Sequence, residues 1–366
     1  MVPEILSRKF KGPRPLLPGE TPALLRFLDD VFMLGIPRGL AGLLPHIFTD
    51  MEEHADWFNV ITCEGRIVAH AGVTPLEFVM WERRMRVGAI GHVATGKAFR
   101  KRGLMSALLG YTTERMRKMG MPVSILWGDR VRYARFGWEP AGHAHHFSIT
   151  PSSAGVLSAC RERVERLDEP VRRSDELHVL HRRFPVRVER TSRVFSLMLE
   201  KAGIDVFAVT RGSRVAAYAV AREKKFREKG RKGSDWMIEE MGGKSRGILS
   251  ILKWLAGRPG TRSVEGRYPL MRLPLTDPLL EAGSSWRSPV AMIGQIKVVD
   301  LKQALAGFGL SSFEREVRNL GYGGRRLVRT IFGPVPPKAT LPCDGGYARL
   351  ASRLPVDFHL WPSDNC

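Results

Sequence analysis

Apolar and polar positions along the chain alternate between a helical and an extended period. Near the start, Thr21-Pro22 reads as a helix N-cap followed by proline at the first helical position, opening the amphipathic run ALLRFLDDVFML. The apolar segments 58–62 and 66–73 predict two strands joined through Cys63-Glu64-Gly65, a hairpin connection. Further strands are expected over 76–81 and 85–95. A helix is expected over 104–119, with Arg115, Arg117 and Lys118 in its last turn and Gly120 as its stop. A strand over 122–127, a short helix over 130–136 ending at Gly137, and a strand over 143–149 complete an alternating first unit.

The pattern then repeats. TCEGRIVAHAG (62–72) resembles TRGSRVAAYAV (210–220), sharing Thr, Arg and two Ala in register. Farther on, Gly96-Lys97 and Arg102-Gly103-Leu104-Met105-Ser106 are matched by Gly243-Lys244 and Arg246-Gly247-Ile248-Leu249-Ser250, with the later loop three residues shorter. Two matches in the same order predict a duplicated unit. Within the second copy, EKKFREKGRKG (223–233) is a basic hairpin loop, either a polyanion contact or a solvated tip. Pro, Gly and Arg accumulate over 256–289, as at a boundary. A last unit then begins near Val290, opening with MIGQIKVVDL and closing on VDFHLW.

A length of 366 residues suits two or three domains. The formal net charge of +21 favours nucleic acid, acidic proteins, anionic membrane surfaces or phosphate-bearing cofactors as partners, unless the cations merely solvate the surface. No run approaches the roughly 18 apolar residues of a membrane span, and Glu4, Arg8, Lys9 and Lys11 interrupt any secretory segment. Cys63, Cys160, Cys343 and Cys366 lie far apart without a CxxC, which fits neither a disulfide framework nor a zinc site. A cytoplasmic protein without a metal is therefore expected. Gly242-Gly243-Lys244-Ser245 is no phosphate-binding P-loop, because Ile238 stands where that motif needs glycine. His143, His145 and His146 would point to alternate faces of a strand, which disfavours a metal cluster.

The stretch IGHVATGKAFRKRGLMSALLGYTTERMRKMG concentrates the chemistry. A strand enters a basic loop that opens directly into a helix, whose first N–H groups are unpaired and carry about half a positive charge from the macrodipole. A phosphate or pyrophosphate suits that terminus. Gly103 lets the backbone approach closely, and Arg100, Lys101 and Arg102 add charge. The plainer alternative is an ordinary strand-to-helix connection.

Arg100-Lys101-Arg102-Gly103-Leu104-Met105 resembles motif A of the GCN5-related N-acetyltransferase (GNAT) superfamily. Together with Tyr133-Ala134-Arg135-Phe136-Gly137-Trp138 it is similar to the Eis (enhanced intracellular survival) branch. Thr95, Lys97 and Met105 depart from residues common in the family, namely Val, Pro and Gly or Ala. The resemblance implies an α/β (α+β) fold of two tandem acetyltransferase-like mixed-sheet domains plus a small sterol-carrier-protein-like C-terminal domain. The boundaries implied are 1–150 for the active unit, 151–280 for a degenerate copy and 281–366 for the last domain.

It also implies acetyl-CoA as co-substrate, held by Val93, Ala94 and Thr95 on a bulged strand and by Arg100, Lys101, Arg102, Gly103, Leu104, Met105 and Ser106 on the loop and helix. Tyr133 matches the family's general acid. A thiol titrates near 8.5 and a tyrosine near 10, so a phenol can supply the leaving sulfur's proton. The Eis branch brings its terminal carboxylate into the first active site, which carries that role to Cys366. A group with pKa near 3.5 acts there through water or by orienting the ammonium, and Asp364 is the alternative. The acceptor implied is an amine, aminoglycoside-like or a lysine side chain. It calls for an acidic pocket, with Asp29, Asp30, Glu52 and Glu53 as candidates and Trp57, Phe58 and Trp81 as further lining. A homo-oligomer is compatible with the resemblance. The rival reading is a non-catalytic CoA-sensing or nucleic-acid-associated binding protein.

Overall fold

A computed structural model of the chain describes residues 9–32, 35, 38–157, 163–228, 231–269, 274–282, 290–291, 294–333, 345–356 and 358–364. The chain begins with β1 (Phe10–Pro15), α1 (Thr21–Phe32), α2 (Gly39–Leu43) and α3 (Pro45–Phe48). There follow β2 (Phe58–Cys63), β3 (Arg66–Met80), β4 (Arg83–Thr95), α4 (Leu104–Lys118), β5 (Val123–Leu126), α5 (Arg130–Ala134), β6 (Glu139–Ala141) and β7 (Ala144–Ile149). Next come β8 (Val164–Arg166), α6 (Ser174–Arg182), β9 (Val186–Glu189), α7 (Ser192–Met198), β10 (Asp205–Arg211), β11 (Arg214–Glu228), β12 (Arg231–Gly243), α8 (Ser245–Ala256) and β13 (Thr261–Pro269). The last part holds α9 (Thr276–Ala282), β14 (Val290–Ala291), β15 (Gly294–Val298), α10 (Leu301–Gly307), α11 (Glu314–Asn319), α12 (Gly324–Phe332), α13 (Gly345–Ala351) and a 3₁₀ turn, Pro362–Asp364.

The strands form two mixed sheets, so the fold is α/β as expected. The first is ordered β1-β2-β3-β4-β5-β15-β6, with β9 beside the far half of β3. The second runs β14-β7-β13-β12-β11-β10-β8. Within each, one long hairpin (β3–β4, β11–β12) is followed by a helix and a parallel strand, so β4 pairs in parallel with β5 and β12 with β13. That succession is the sequence repeat in three dimensions.

Local chemistry explains the hairpins. Glu64 and Gly65 have φ of 50° and 76°, the left-handed pair that a two-residue type I′ loop needs between β2 and β3. The sequence breaks β3 near Pro75, yet one strand runs from Arg66 to Met80. At Pro75 only β4 is paired, because β2 ends opposite Gly72 and β9 begins opposite Glu77. A missing N–H on the open side of the strand breaks no ladder.

The two sheets exchange strands. β7, inside the expected first unit, pairs with β13 in the second sheet, while β15 from the C-terminal region inserts between β5 and β6. The helices after β15 bury Leu305, Phe308, Val328, Phe332 and Leu350 in the first sheet's core. Among the described residues, the segment from 294 onward forms no sheet of its own, and no helix is long and apolar enough to cross a membrane.

Candidate active site

β4 and β5 pair in parallel from Val87–Val123 to Ile90–Leu126 and then separate. Beyond Ile90, β4 keeps its partner β3 but bulges. His70 pairs Ala94 and Gly72 pairs Gly91, so His92 and Val93 together oppose Ala71, and His92 takes φ of 52°. Alternate N–H and C=O groups of a strand point to opposite neighbours. Those of residues 91–95 that face away from β3 therefore open into a fork with no strand across it among the described residues. Val93 and Thr95 are half-buried at its wall and Ala94 is buried.

The loop after β4 delivers a helix end to the same place. Lys101 and Gly103 are left-handed, with φ of 63° and 76°, and Gly103 is the N-cap of α4. Space around Gly103 is open, with no atom within 4 Å of where a Cβ would stand. The first α4 amide with a preceding acceptor is that of Ala107, which donates to the Gly103 carbonyl at 3.0 Å. The N–H groups of Leu104, Met105 and Ser106 have none among the described residues. Arg100, Lys101 and Arg102 are exposed around this end, and Arg100 Nε reaches the Thr95 carbonyl at 3.4 Å. Unpaired donors, an open approach and clustered cations fit a diphosphate.

Tyr133 stands where β5 ends. Asp129 caps α5, accepting from the Val131 N–H at 2.9 Å, and so aims the helix that carries the tyrosine. The ring is 7% exposed and lies against Gly128. It shares one apolar cluster with Ile90, Leu126 and Trp138, to which Val93 of the bulge and Met105 of α4 also belong. Burial raises the phenol's pKa, opposed by Arg132 and reinforced by Asp129, so it stays protonated at neutral pH. The fork wall, the helix end and the tyrosine thus converge on one locus.

A cavity of about 570 Å³ lies beside α3, whose Phe48 meets His92 of the bulge with ring centroids 4.7 Å apart. Its lining comes from α3, β3, β9, α7 and the C-terminal turn. Five carboxylates, Asp50, Glu53, Glu77, Glu189 and Asp364, face it against the arginines Arg190 and Arg193. His46 lines the cavity and adjoins the bulge. Burial, then the charges of Lys201, Arg190 and His92, hold its pKa well below the usual value. His92 itself is lowered to about 3 by burial and by His70, which is lowered to about 4 by burial, the hydrogen bond that the His92 carbonyl accepts from His70 Nδ1 working the other way.

Of the residues singled out in the sequence, Glu53 and Trp57 line this cavity, and Trp57 stacks on His54 with centroids 4.1 Å apart. Asp29 instead accepts the Leu40 N–H at 3.1 Å at the start of α2. Asp30 and Glu52 are exposed and do not line the cavity, Phe58 is in the core, and Trp81 is 57% exposed at the β3–β4 turn. Cys366 lies outside the described residues; Asp364, two residues before it, is in the cavity wall. Sequence reasoning missed His46, Asp50, Glu77, Glu189 and Arg190. They come from three separated stretches, 46–50, 77 and 189–190, and no spacing rule collects such residues.

The fork, with a helix end and a tyrosine at its mouth, lies within residues 13–141, which match the acetyltransferase (GNAT) domain family. The chain's fold is similar to a GCN5-related N-acetyltransferase from Kribbella flavida (20% identity, TM-score 0.57, covering 80% of this chain and 73% of that one). It is also similar to one from Anabaena variabilis (16% identity, TM-score 0.56, 81% and 74%) and to Eis1 from Mycobacterium abscessus (17% identity, TM-score 0.53, 80% and 75%). No curated protein matches the chain.

Proposed function

We propose that this protein transfers an acetyl group from acetyl-CoA to a primary amine, using the β4–β5 fork as acyl site and the adjoining acidic cavity as amine site. One observation carries the reading: β4 parts from β5 just where a helix with unpaired amides and a buried, protonated tyrosine meet. Acetyl-CoA supplies an activated thioester. Val93, Ala94 and Thr95 line the fork, and a backbone N–H at the bulge steadies the acyl oxyanion. Arg100, Lys101, Arg102 and the amides from Gly103 to Ser106 hold the diphosphate.

When the amine nitrogen bonds to the acyl carbon, the carbon–sulfur bond breaks, and Tyr133 gives its proton to the departing thiolate. The ammonium first loses a proton to water to become the nucleophilic amine, the nitrogen loses a second as the amide forms, and one of these two protons returns Tyr133 to its phenol form. The carboxylate of Cys366 is assigned the role of orienting the ammonium. Asp364 acts as an anchor, because its side chain is taken up by Arg190 at 2.6 Å.

Asp50, Glu189 and Asp364 already pair with arginines, so Glu53 and Glu77 are the cavity carboxylates left to meet a cationic acceptor, an aminoglycoside-like molecule or a lysine side chain. The unit within 1–150 is the active one. The unit within 151–280 is a degenerate copy, because its loop lacks the basic run and Gly247 on its helix's first turn packs against Ala217. The test is free-thiol release from acetyl-CoA with a panel of amines. Steady turnover that drops at least tenfold in Tyr133→Phe supports the proposal. Tight nucleic-acid binding with no turnover on any amine overturns it in favour of a binding protein.

A further inference from the structure

The cavity holds a base that the acetyl transfer has not yet used. His46 belongs to α3, the single helical turn that opens at Pro45, and its ring lines the cavity. Two residues on, Phe48 meets His92 of the β4 bulge edge-on, with ring centroids 4.7 Å apart. His46 therefore faces the cavity from the element that packs on the bulge. Its Nδ1 is buried and has no hydrogen-bond partner among the described residues. A buried ring nitrogen left unmet costs about 1–3 kcal/mol, and an aliphatic side chain would fill the same space without that cost. The other histidine of the cavity, His54, is by contrast stacked on Trp57.

The charges around His46 are mostly positive or already paired. Arg190 follows β9, Lys201 follows α7 and His92 sits on β4; with burial first, these three hold the His46 pKa well below its usual value. Of the cavity's carboxylates, Asp50 pairs with Arg193 of α7 at 3.2 Å and Asp364 of the C-terminal turn with Arg190 at 2.6 Å. Glu189 of β9 is held by Arg187 at 2.7 Å, and Glu53 and Glu77 complete the acidic lining. A side chain so placed is a neutral imidazole at neutral pH, with one nitrogen that donates and one that accepts.

The two protons that leave the acceptor nitrogen differ in acidity. The first comes from an ammonium, whose pKa is about 10.4 when it is a lysine side chain, and a weak base cannot take it. The second leaves only after nitrogen has bonded to the acyl carbon. Nitrogen then carries positive charge beside a carbon bearing oxygen and sulfur, and is a far stronger acid than the free ammonium. A weak base suffices for that proton, provided it is uncharged and within reach. We infer that His46 is a catalytic residue of the acetyl transfer, accepting the second proton from the acceptor nitrogen as the amide forms. This role rests on the proposed acetyl transfer. The nitrogen–carbon bond forms, the carbon–sulfur bond breaks with its electron pair on sulfur, Tyr133 protonates that thiolate, and the N–H pair stays on nitrogen as its proton passes to the imidazole. The imidazolium, beside Arg190 and Lys201, then sheds the proton to water and is ready for the next turnover.

Thiol release at saturating acetyl-CoA tests it on the full chain, in wild type, His46→Ala and His46→Gln, each with and without added imidazole, beside calorimetric titration with acetyl-CoA. Both variants should lose at least tenfold in kcat, with acetyl-CoA affinity within twofold of wild type. Imidazole entering the space that His46→Ala leaves should raise that variant's kcat at least fivefold, with a pH dependence that follows the neutral form of free imidazole. It should do nothing for wild type. His46→Gln fills the space without a group that takes a proton, so it stays slow with or without imidazole, and it decides the matter if His46→Ala misfolds. Because the native imidazole is neutral throughout, the ratio of wild-type to His46→Gln kcat should be constant from about pH 6.5 to 8. A kcat within twofold of wild type in either variant, a slow His46→Ala that imidazole does not speed, or an equal gain from imidazole in both variants overturns the role. Absence of turnover by wild type on any amine overturns the acetyl transfer and this role with it, whereas full turnover by the variants overturns the role alone.

Discussion

Replacing Gly128 by alanine tests whether the placement of Tyr133 governs turnover. A Cβ at this position would stand 2.6 Å from Tyr133 Cε2, whereas carbon atoms settle at about 3.5 Å, so the ring edge must withdraw by about 0.9 Å. The backbone is poorly free to yield instead, since Gln295 Nε2 holds the Gly128 carbonyl at 2.6 Å. The ring, 7% exposed among Leu126, Trp138 and Val93, carries its hydroxyl with it. A misplacement of about 1 Å at a reacting group costs up to about a hundredfold in rate. Gly128→Ala should therefore lower kcat by about 10- to 100-fold, or about 1.4–2.7 kcal/mol of barrier. Overpacking takes a further ~1–3 kcal/mol from stability. Thiol release at saturating acetyl-CoA gives kcat, and titration calorimetry shows an unchanged Kd for acetyl-CoA. In a Tyr133→Phe background the same substitution should change kcat less than about twofold. Full activity in Gly128→Ala, or an equal loss in both backgrounds, would refute the reasoning.

Three further outcomes are expected. Gly103→Val forces a β-branched residue into φ of 76°, a strain of about 1–2 kcal/mol at the helix end; acetyl-CoA affinity should fall at least tenfold with kcat at saturation changed far less, as calorimetry and initial rates will show. Because burial raises the Tyr133 pKa above its usual value of about 10, the proton donor persists up to at least that pH; the ratio of wild-type to Tyr133→Phe kcat should be constant from pH 7 to 9.5, and convergence with a midpoint below pH 9 would contradict the assignment. The folded His92 pKa of about 3 lies below the unfolded value of about 6.5, so its contribution is intact above pH 6.5 and is lost as pH falls through that window, by about 3 kcal/mol at pH 4. Urea midpoints should then fall less steeply with acidification in His92→Asn, which tolerates the left-handed backbone, and an unchanged slope would rule the contribution out.

The parts legible in the sequence are those that short stretches of chain decide. The Cys63-Glu64-Gly65 connection, α1 starting at Thr21, α4 ending at Lys118 and the helix bearing Tyr133 all follow from turn chemistry and periodicity. So does the repeat, because the same succession of elements folds twice. Partners of strands were not legible. Periodicity marks β7 and β15 as strands but says nothing of their crossing between sheets, since pairing over more than a hundred residues leaves no local trace. The separate strands expected over 66–73 and 76–81 are one strand, because a sequence does not show that only one side of β3 is paired near Pro75. Arg190 and Asp364 lie 174 positions apart, and Glu240 joins them from a third element, so their shared charge is invisible before the chain folds.

The central claim is tested most directly by a crystal structure of the protein soaked with coenzyme A. The account requires the diphosphate within hydrogen-bonding distance of the amides from Gly103 to Ser106, the pantetheine arm along Val93 to Thr95, and the sulfur beside the Tyr133 hydroxyl. A diphosphate bound elsewhere, or a β4–β5 fork left without ligand while coenzyme A occupies another part of the molecule, would contradict it.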